Sequence, residues 1–218
     1  MKRYRDMQPR SSATAVCNMR RLLVANICLM AACLGTSLGH AAEGEKTLTE
    51  QRWNVLVQLA GIEVKERGGD VVQALVFFDP NCPVCARLWM AWYGPTGRGT
   101  GLVTRWIPVA DMNERSRGRA ASLLMANSSA ALANNFIYFD HHSREGAAAP
   151  TAVTAAVLAR MHANEAEWEA IAAATPLIVY RTRDGRVMAQ IGMPSQQHME
   201  VLLSSLRSPR LSVFGQTK

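Results

Sequence analysis

Apolar positions change their spacing several times along this chain, and each change marks an element. Trp53, Leu56, Val57 and Ala60 recur at i, i+3, i+4 and i+7 behind the capping-box pattern Thr47-Leu48-Thr49-Glu50. This predicts an amphipathic helix ending near Gly61, inside a linker-like segment of residues 42–70 that closes on the turn Gly68-Gly69-Asp70. Val71–Phe78 follows, with the unbroken apolar run Ala74-Leu75-Val76-Phe77-Phe78, the pattern of a strand covered on both faces. Asp79-Pro80-Asn81 breaks it. A helix is predicted from Cys82 to about Trp92 and a strand from Leu102 to Val109, giving a βαβ unit with a parallel pair.

Residues 113–174 are alanine-rich and keep helical spacing, which predicts helices near 114–126, 128–139, 151–162 and 164–173, interrupted around Glu145–Pro150. Leu177–Tyr180, the turn Arg183-Asp184-Gly185 and Arg186–Ile191 then read as a hairpin. Ser195 caps a last helix with Met199, Leu202, Leu203 and Leu206 on one face, before a loose tail at 209–218. The order is β-α-β, a helical insertion (113–174), then β-β-α, preceded by an N-terminal helix. This α/β arrangement is thioredoxin-like, with the catalytic domain expected over residues 71–208.

The first 41 residues stand apart. Basic residues up to Arg20-Arg21, an apolar run from Leu22 to about Leu34 and small residues around Ala41-Ala42 form a secretory signal pattern. The apolar run is too short to span a bilayer as a helix. Met30-Ala31-Ala32-Cys33 is an imperfect lipobox, which offers acylation at Cys33 as the lesser alternative. The 218-residue chain has a formal net charge of +7, but the leader holds six Lys/Arg and one Asp. The remainder has 18 basic and 16 acidic residues, so the charge is no argument for nucleic-acid binding. Of the five cysteines, Cys17, Cys28 and Cys33 leave with the leader; Cys82 and Cys85 remain, in one C-x-x-C. An exported chain with that inventory reads as a redox protein in the periplasm, not as a disulfide-stapled scaffold.

Cys82 opens a helix after a strand and a turn, where unpaired backbone N–H groups and the helix dipole favour a thiolate. Pro83 suits the first helical turn because it has no N–H to leave unpaired. Cys85 shares a face with Leu88, Trp89 and Trp92 and is therefore the less exposed sulfur. The roles follow: Cys82 is the exposed nucleophile and Cys85 resolves the mixed disulfide. A zinc half-site is the rival for any C-x-x-C, yet no second pair exists and adjacent His141-His142 point apart, so neither metal nor cofactor is expected. Thr175-Pro176 opens the hairpin. In a thioredoxin-like sheet a cis bond there faces the cysteines, and the residue before proline pairs with substrate backbone. Pro83 and Val84 are expected to touch substrate as well. Phe136, Tyr138 and Phe139 read as core of the insertion, Met125, Met161, Met188, Met193 and Met199 as mostly core, and His162 and His198 as surface or helix-end residues.

Val76-Phe77-Phe78-Asp79-Pro80-Asn81-Cys82-Pro83-Val84-Cys85, with Leu88-Trp89 behind it, resembles the DsbC/DsbG-type periplasmic thiol:disulfide interchange proteins. Thr175-Pro176 and Gly192-Met193-Pro194 match as well, and the resemblance extends over about 47–207. It implies a nucleophile at Cys82, a resolving Cys85, a cis-proline at Pro176 with Thr175 before it, and no cofactor. It also implies exported substrate proteins and a membrane thiol-reducing electron donor. The family's N-terminal dimerisation domain has no counterpart between Ala41 and Thr47, so a monomer is expected and efficient isomerisation is in question. Val84 stands where the family often has Tyr. No acidic residue lies on Ala74–Phe78, so proton transfer to Cys85 is expected to rely on water. A dedicated assembly or chaperone-like factor for a secretion or conjugation apparatus is the alternative reading.

Overall fold

The computed structural model describes residues 44–65, 71–97 and 101–206; the leader, Cys33 and the C-terminal tail lie outside the described residues. The elements are β1 (Glu45–Leu48), α1 (Glu50–Leu56), β2 (Ile62–Lys65), β3 (Ala74–Phe78), α2 (Pro83–Tyr93) and β4 (Val103–Pro108). They continue with α3 (Glu114–Ala126), α4 (Ser129–Ile137), α5 (Ala155–Ile171), β5 (Leu177–Arg181), β6 (Val187–Ile191) and α6 (Gln196–Leu206). The strands form one sheet in the order β1-β6-β5-β3-β4-β2. β3 and β4 are parallel, as a βαβ unit requires, and the other pairs are antiparallel.

β3 is central and all five of its residues are fully buried. The pleat sends Ala74, Val76 and Phe78 to one side, against α2, α4 and α6. Leu75 and Phe77 go to the other, against Trp53 and Leu56 of α1 and Trp168 and Ile171 of α5. The continuous apolar run is thus the signature of a doubly covered strand. A third cluster joins Ala120, Ala121 and Leu124 of α3 to Val157 and Met161 of α5.

The segment read as a linker-like N-terminal helix is different. Thr47 lies in β1, the N-cap is Thr49, which accepts from the Arg52 N–H at 3.1 Å, and α1 stops at Leu56. The Arg105 guanidinium donates to the Val57 carbonyl at the helix end. Gly61 then passes so near the Trp106 carbonyl that a Cβ would sit 2.8 Å from it, and the chain enters β2. Ile62-Glu63-Val64-Lys65 does alternate, but four residues are too few to outweigh the helical spacing upstream. The β1 and β2 edges are therefore supplied by residues assigned to a linker. The predicted break near residue 163 is also absent: α5 runs unbroken, and Asn164 in its middle donates to the carbonyls of Ala60 (2.9 Å) and Pro108 (3.0 Å).

Candidate active site

Cys82 occupies the N-cap of α2 with extended backbone angles, and Pro83 takes the first helical position. The Cys85 N–H donates to the Cys82 sulfur at 3.2 Å. The Cys82 thiol is lowered to about 7, first because the Cys85 thiol donates to its sulfur. Burial opposes this, while the Thr175 side chain and the Cys85 and Val84 backbone N–H groups favour the thiolate. In the protonated form the Cys82 thiol donates to the Thr175 carbonyl at 3.7 Å. Thr175 therefore presents a group to each protonation state.

Cys85 is fully buried, on the face that carries Leu88, Trp89 and Trp92. Its thiol is pushed well above the usual range by burial first, then by the charge and hydrogen bonding of Cys82. The Asp79 backbone N–H favours its thiolate, whereas the Asp79 carboxylate opposes it. Ala74–Phe78 carries no acidic residue, as read from the sequence, and the acid whose charge raises the Cys85 thiol is Asp79. It lies one residue beyond β3, fully buried.

The expectation of an exposed nucleophile needs correction: Cys82 is 2% exposed. The Thr175 carbonyl closes over a sulfur already drawn into the helix N-terminus. Thr175-Pro176 is a cis bond, and the Gly192 N–H donates to the Pro176 carbonyl at 2.8 Å, which ties this loop to the Gly192-Met193-Pro194 segment. Pro83 and Val84 are half-buried beside the sulfur.

Sequence reasoning missed the polar groups behind the cysteines. The Asp79 carboxylate accepts from the N–H groups of Asn81 (2.7 Å), Asp111 (2.7 Å) and Met112 (2.8 Å) and from the Ser116 hydroxyl (2.8 Å). Burial nevertheless raises its pKa. The Asn81 side chain donates to Asn113 (3.2 Å) and Ser116 (3.1 Å) and accepts from the Gly146 N–H (3.0 Å). Asn135 of α4 donates to the Pro80 carbonyl at 3.1 Å. The only sequence signal was polar residues abutting an apolar strand, which read as a breaker. Among the remaining residues, Phe136 and Phe139 are buried but Tyr138 is 70% exposed. Met161 and Met199 are core, while Met125 and Met193 face outward. His162 is exposed, and His198 lies 3.0 Å from Glu45.

No protein-family model matches the chain. The thiol:disulfide interchange protein DsbG of Pseudomonas aeruginosa is 29% identical over 161 residues, covering 72% of this chain and 60% of that protein. The chain thus spans about three fifths of that relative's length. A periplasmic thioredoxin-like protein from Salmonella enterica serovar Typhimurium matches with a TM-score of 0.51 at 15% identity, covering 75% of this chain and all of the other. The catalytic domain of Proteus mirabilis ScsC matches with a TM-score of 0.51 at 16% identity, over 72% of this chain and 94% of that domain. These structures show the fold, and the sequence likeness points the same way: the chain has a thioredoxin-like fold and is similar in sequence to a thiol:disulfide interchange protein of the DsbG type.

Proposed function

We propose that this chain is a periplasmic thiol:disulfide oxidoreductase of the reductase or isomerase type, with Cys82 as nucleophile and Cys85 as resolving thiol. The observation that carries the reading is the unlike setting of two neighbouring sulfurs: Cys82 sits at a helix N-cap and accepts from the Cys85 N–H at 3.2 Å, which favours its thiolate, whereas Cys85 is fully buried, which disfavours its own. The Cys82 thiolate attacks one sulfur of a substrate disulfide; the other sulfur leaves as a thiolate and takes up a proton. Once Cys82 is part of the mixed disulfide, its charge no longer opposes ionisation of Cys85. Cys85 then loses its proton and attacks the Cys82 sulfur. The substrate leaves as a dithiol, and the Cys82–Cys85 disulfide holds the two-electron oxidation. A thiol-reducing membrane partner would restore the dithiol.

Thr175 and Pro176, with Pro83 and Val84, are assigned to the substrate chain. The leader pattern and the relatives support a periplasmic location. In an insulin-reduction assay Cys82→Ala abolishes turnover, and Cys85→Ala accumulates mixed disulfides with exported proteins. Full turnover by Cys82→Ala would sink this reading.

A further inference from the structure

Each of the three residues before the nucleophile is held by groups from the helical insertion. Asp79 is bonded by Ser116 of α3 and by the N–H groups of Asp111 and Met112, on the loop leading into it. Pro80 offers its carbonyl to Asn135 of α4. Asn81 is held by Asn113, Ser116 and Gly146. Asp79, Asn81, Ser116 and Asn135 are all fully buried. Both donors and the acceptor of the Asn81 carboxamide are used, and the Asn135 carboxamide oxygen accepts from the Ala148 N–H at 3.0 Å.

The far side of this clamp is itself fixed. Arg119, almost buried, donates to the Gly146 carbonyl (3.0 Å) and pairs with Glu145 (2.8 Å), which Arg115 also binds. Asp140 and Glu145 exchange backbone hydrogen bonds across the loop. Gly146 lies so close that a Cβ would strike the Asn135 carboxamide and the Pro80 carbonyl. The loop is thus built to reach the residues before Cys82 and stop there.

We infer that Ser116 and Asn135 are positioning residues for the nucleophile: the inserted helices act as a jig that holds Cys82 at the helix N-cap and beneath Thr175. The inference rests on the proposed role of Cys82. The contacts that stabilise the thiolate come from Cys85, Val84 and Thr175, all set by where the chain enters α2. If Asp79-Pro80-Asn81 relaxes, those contacts lengthen and the thiolate is less favoured. A merely structural polar cluster would affect unfolding and leave the ionisation of Cys82 alone.

The test is the pH profile of Cys82 alkylation by iodoacetamide in the reduced mature chain, for Ser116→Ala, Asn135→Ala and the control Met161→Ala. Met161 is fully buried in the α3–α5 cluster, which includes none of the clamp residues. The expected result is alkylation slowed about threefold or more at pH 6 in both clamp variants, with the limiting rate at high pH retained. Met161→Ala keeps the wild-type profile. An unshifted profile in the clamp variants, or an equal shift in Met161→Ala, overturns the inference. If Asn135→Ala fails to fold, Ser116→Ala, which removes one oxygen, decides alone. Alkylation needs no substrate disulfide. A shifted profile in a chain unable to reduce insulin would therefore sink the oxidoreductase reading and leave the jig intact, whereas full turnover with unshifted profiles does the reverse.

Discussion

Two aspartates follow strands in this molecule and meet opposite fates. Asp184 sits in the β5–β6 turn, exposed, with Thr182 and Arg186 as its side-chain partners, both two residues away. Those partners hold its carboxyl below the usual range, the Thr182 hydroxyl most of all. Asp79 sits at the end of β3, fully buried, and three of its four donors come from more than 30 residues away. Burial raises its pKa despite four hydrogen bonds. One turn is closed by its own sequence, with Gly185 supplying the positive φ of 84°. The other is held open by the rest of the protein, and it is the one beside the cysteines. A turn that needs only itself can be replaced without consequence elsewhere; a turn built from distant partners fixes the helix start beyond it.

Substitutions can break this contrast, and the largest effect belongs to Asp79. Asp79→Ala leaves the N–H groups of Asn81, Asp111 and Met112 and the Ser116 hydroxyl without their acceptor, at a cost of about 2 kcal/mol or more in urea-unfolding free energy. A variant as stable as wild type would mean that the clamp is dispensable. Next comes Thr175→Val, which removes a group that favours the Cys82 thiolate. Cys82 is ionised above about pH 7 and protonated below it, so the loss is read on the acid side: alkylation at pH 6 falls about threefold and is unchanged at pH 9.

The two carboxyls should also respond to acid in opposite senses. The folded pKa of Asp79 is raised, so the protonation-linked part of its contribution to stability is fully present below the unfolded value near 3.8 and is lost as pH rises through the folded value. That of Asp184 is lowered, so its contribution is present above 3.8 and lost as pH falls through the folded value. Carboxyl-detected NMR titration should place the Asp79 midpoint above 3.8 and the Asp184 midpoint below it; the reverse order would refute the contrast. The smallest effect is Asp184→Ala, for which the urea midpoint and the alkylation profile of Cys82 should both be unchanged, as for most exposed ion pairs.

Legibility followed the same division. β3, α2, β4 and the hairpin were readable because their patterns are local: an unbroken apolar run, a proline after a cysteine, a glycine turn between apolar strands. The relative depth of Cys82 and Cys85 was readable only in order, since Cys85 shares the face of Leu88, Trp89 and Trp92. The near-complete burial of Cys82 was not, because the group that covers it is Thr175, 93 residues away. β1 and β2 were lost inside a helical reading because four-residue edge strands exist only through their pairing with β6 and β4.

By itself, then, the sequence determined a C-x-x-C at the start of a helix, a doubly covered strand leading to it and a Thr-Pro pair opening the hairpin. Periodicity and turn chemistry act over a few residues, and these features need nothing more. Only the tertiary structure decided that Asp79, Asn81, Ser116, Asn135 and Gly146 meet behind the nucleophile. A buried carboxylate or carboxamide has no local pattern of its own. It is tolerated only where distant donors and acceptors complete its hydrogen bonds, and folding alone brings those together.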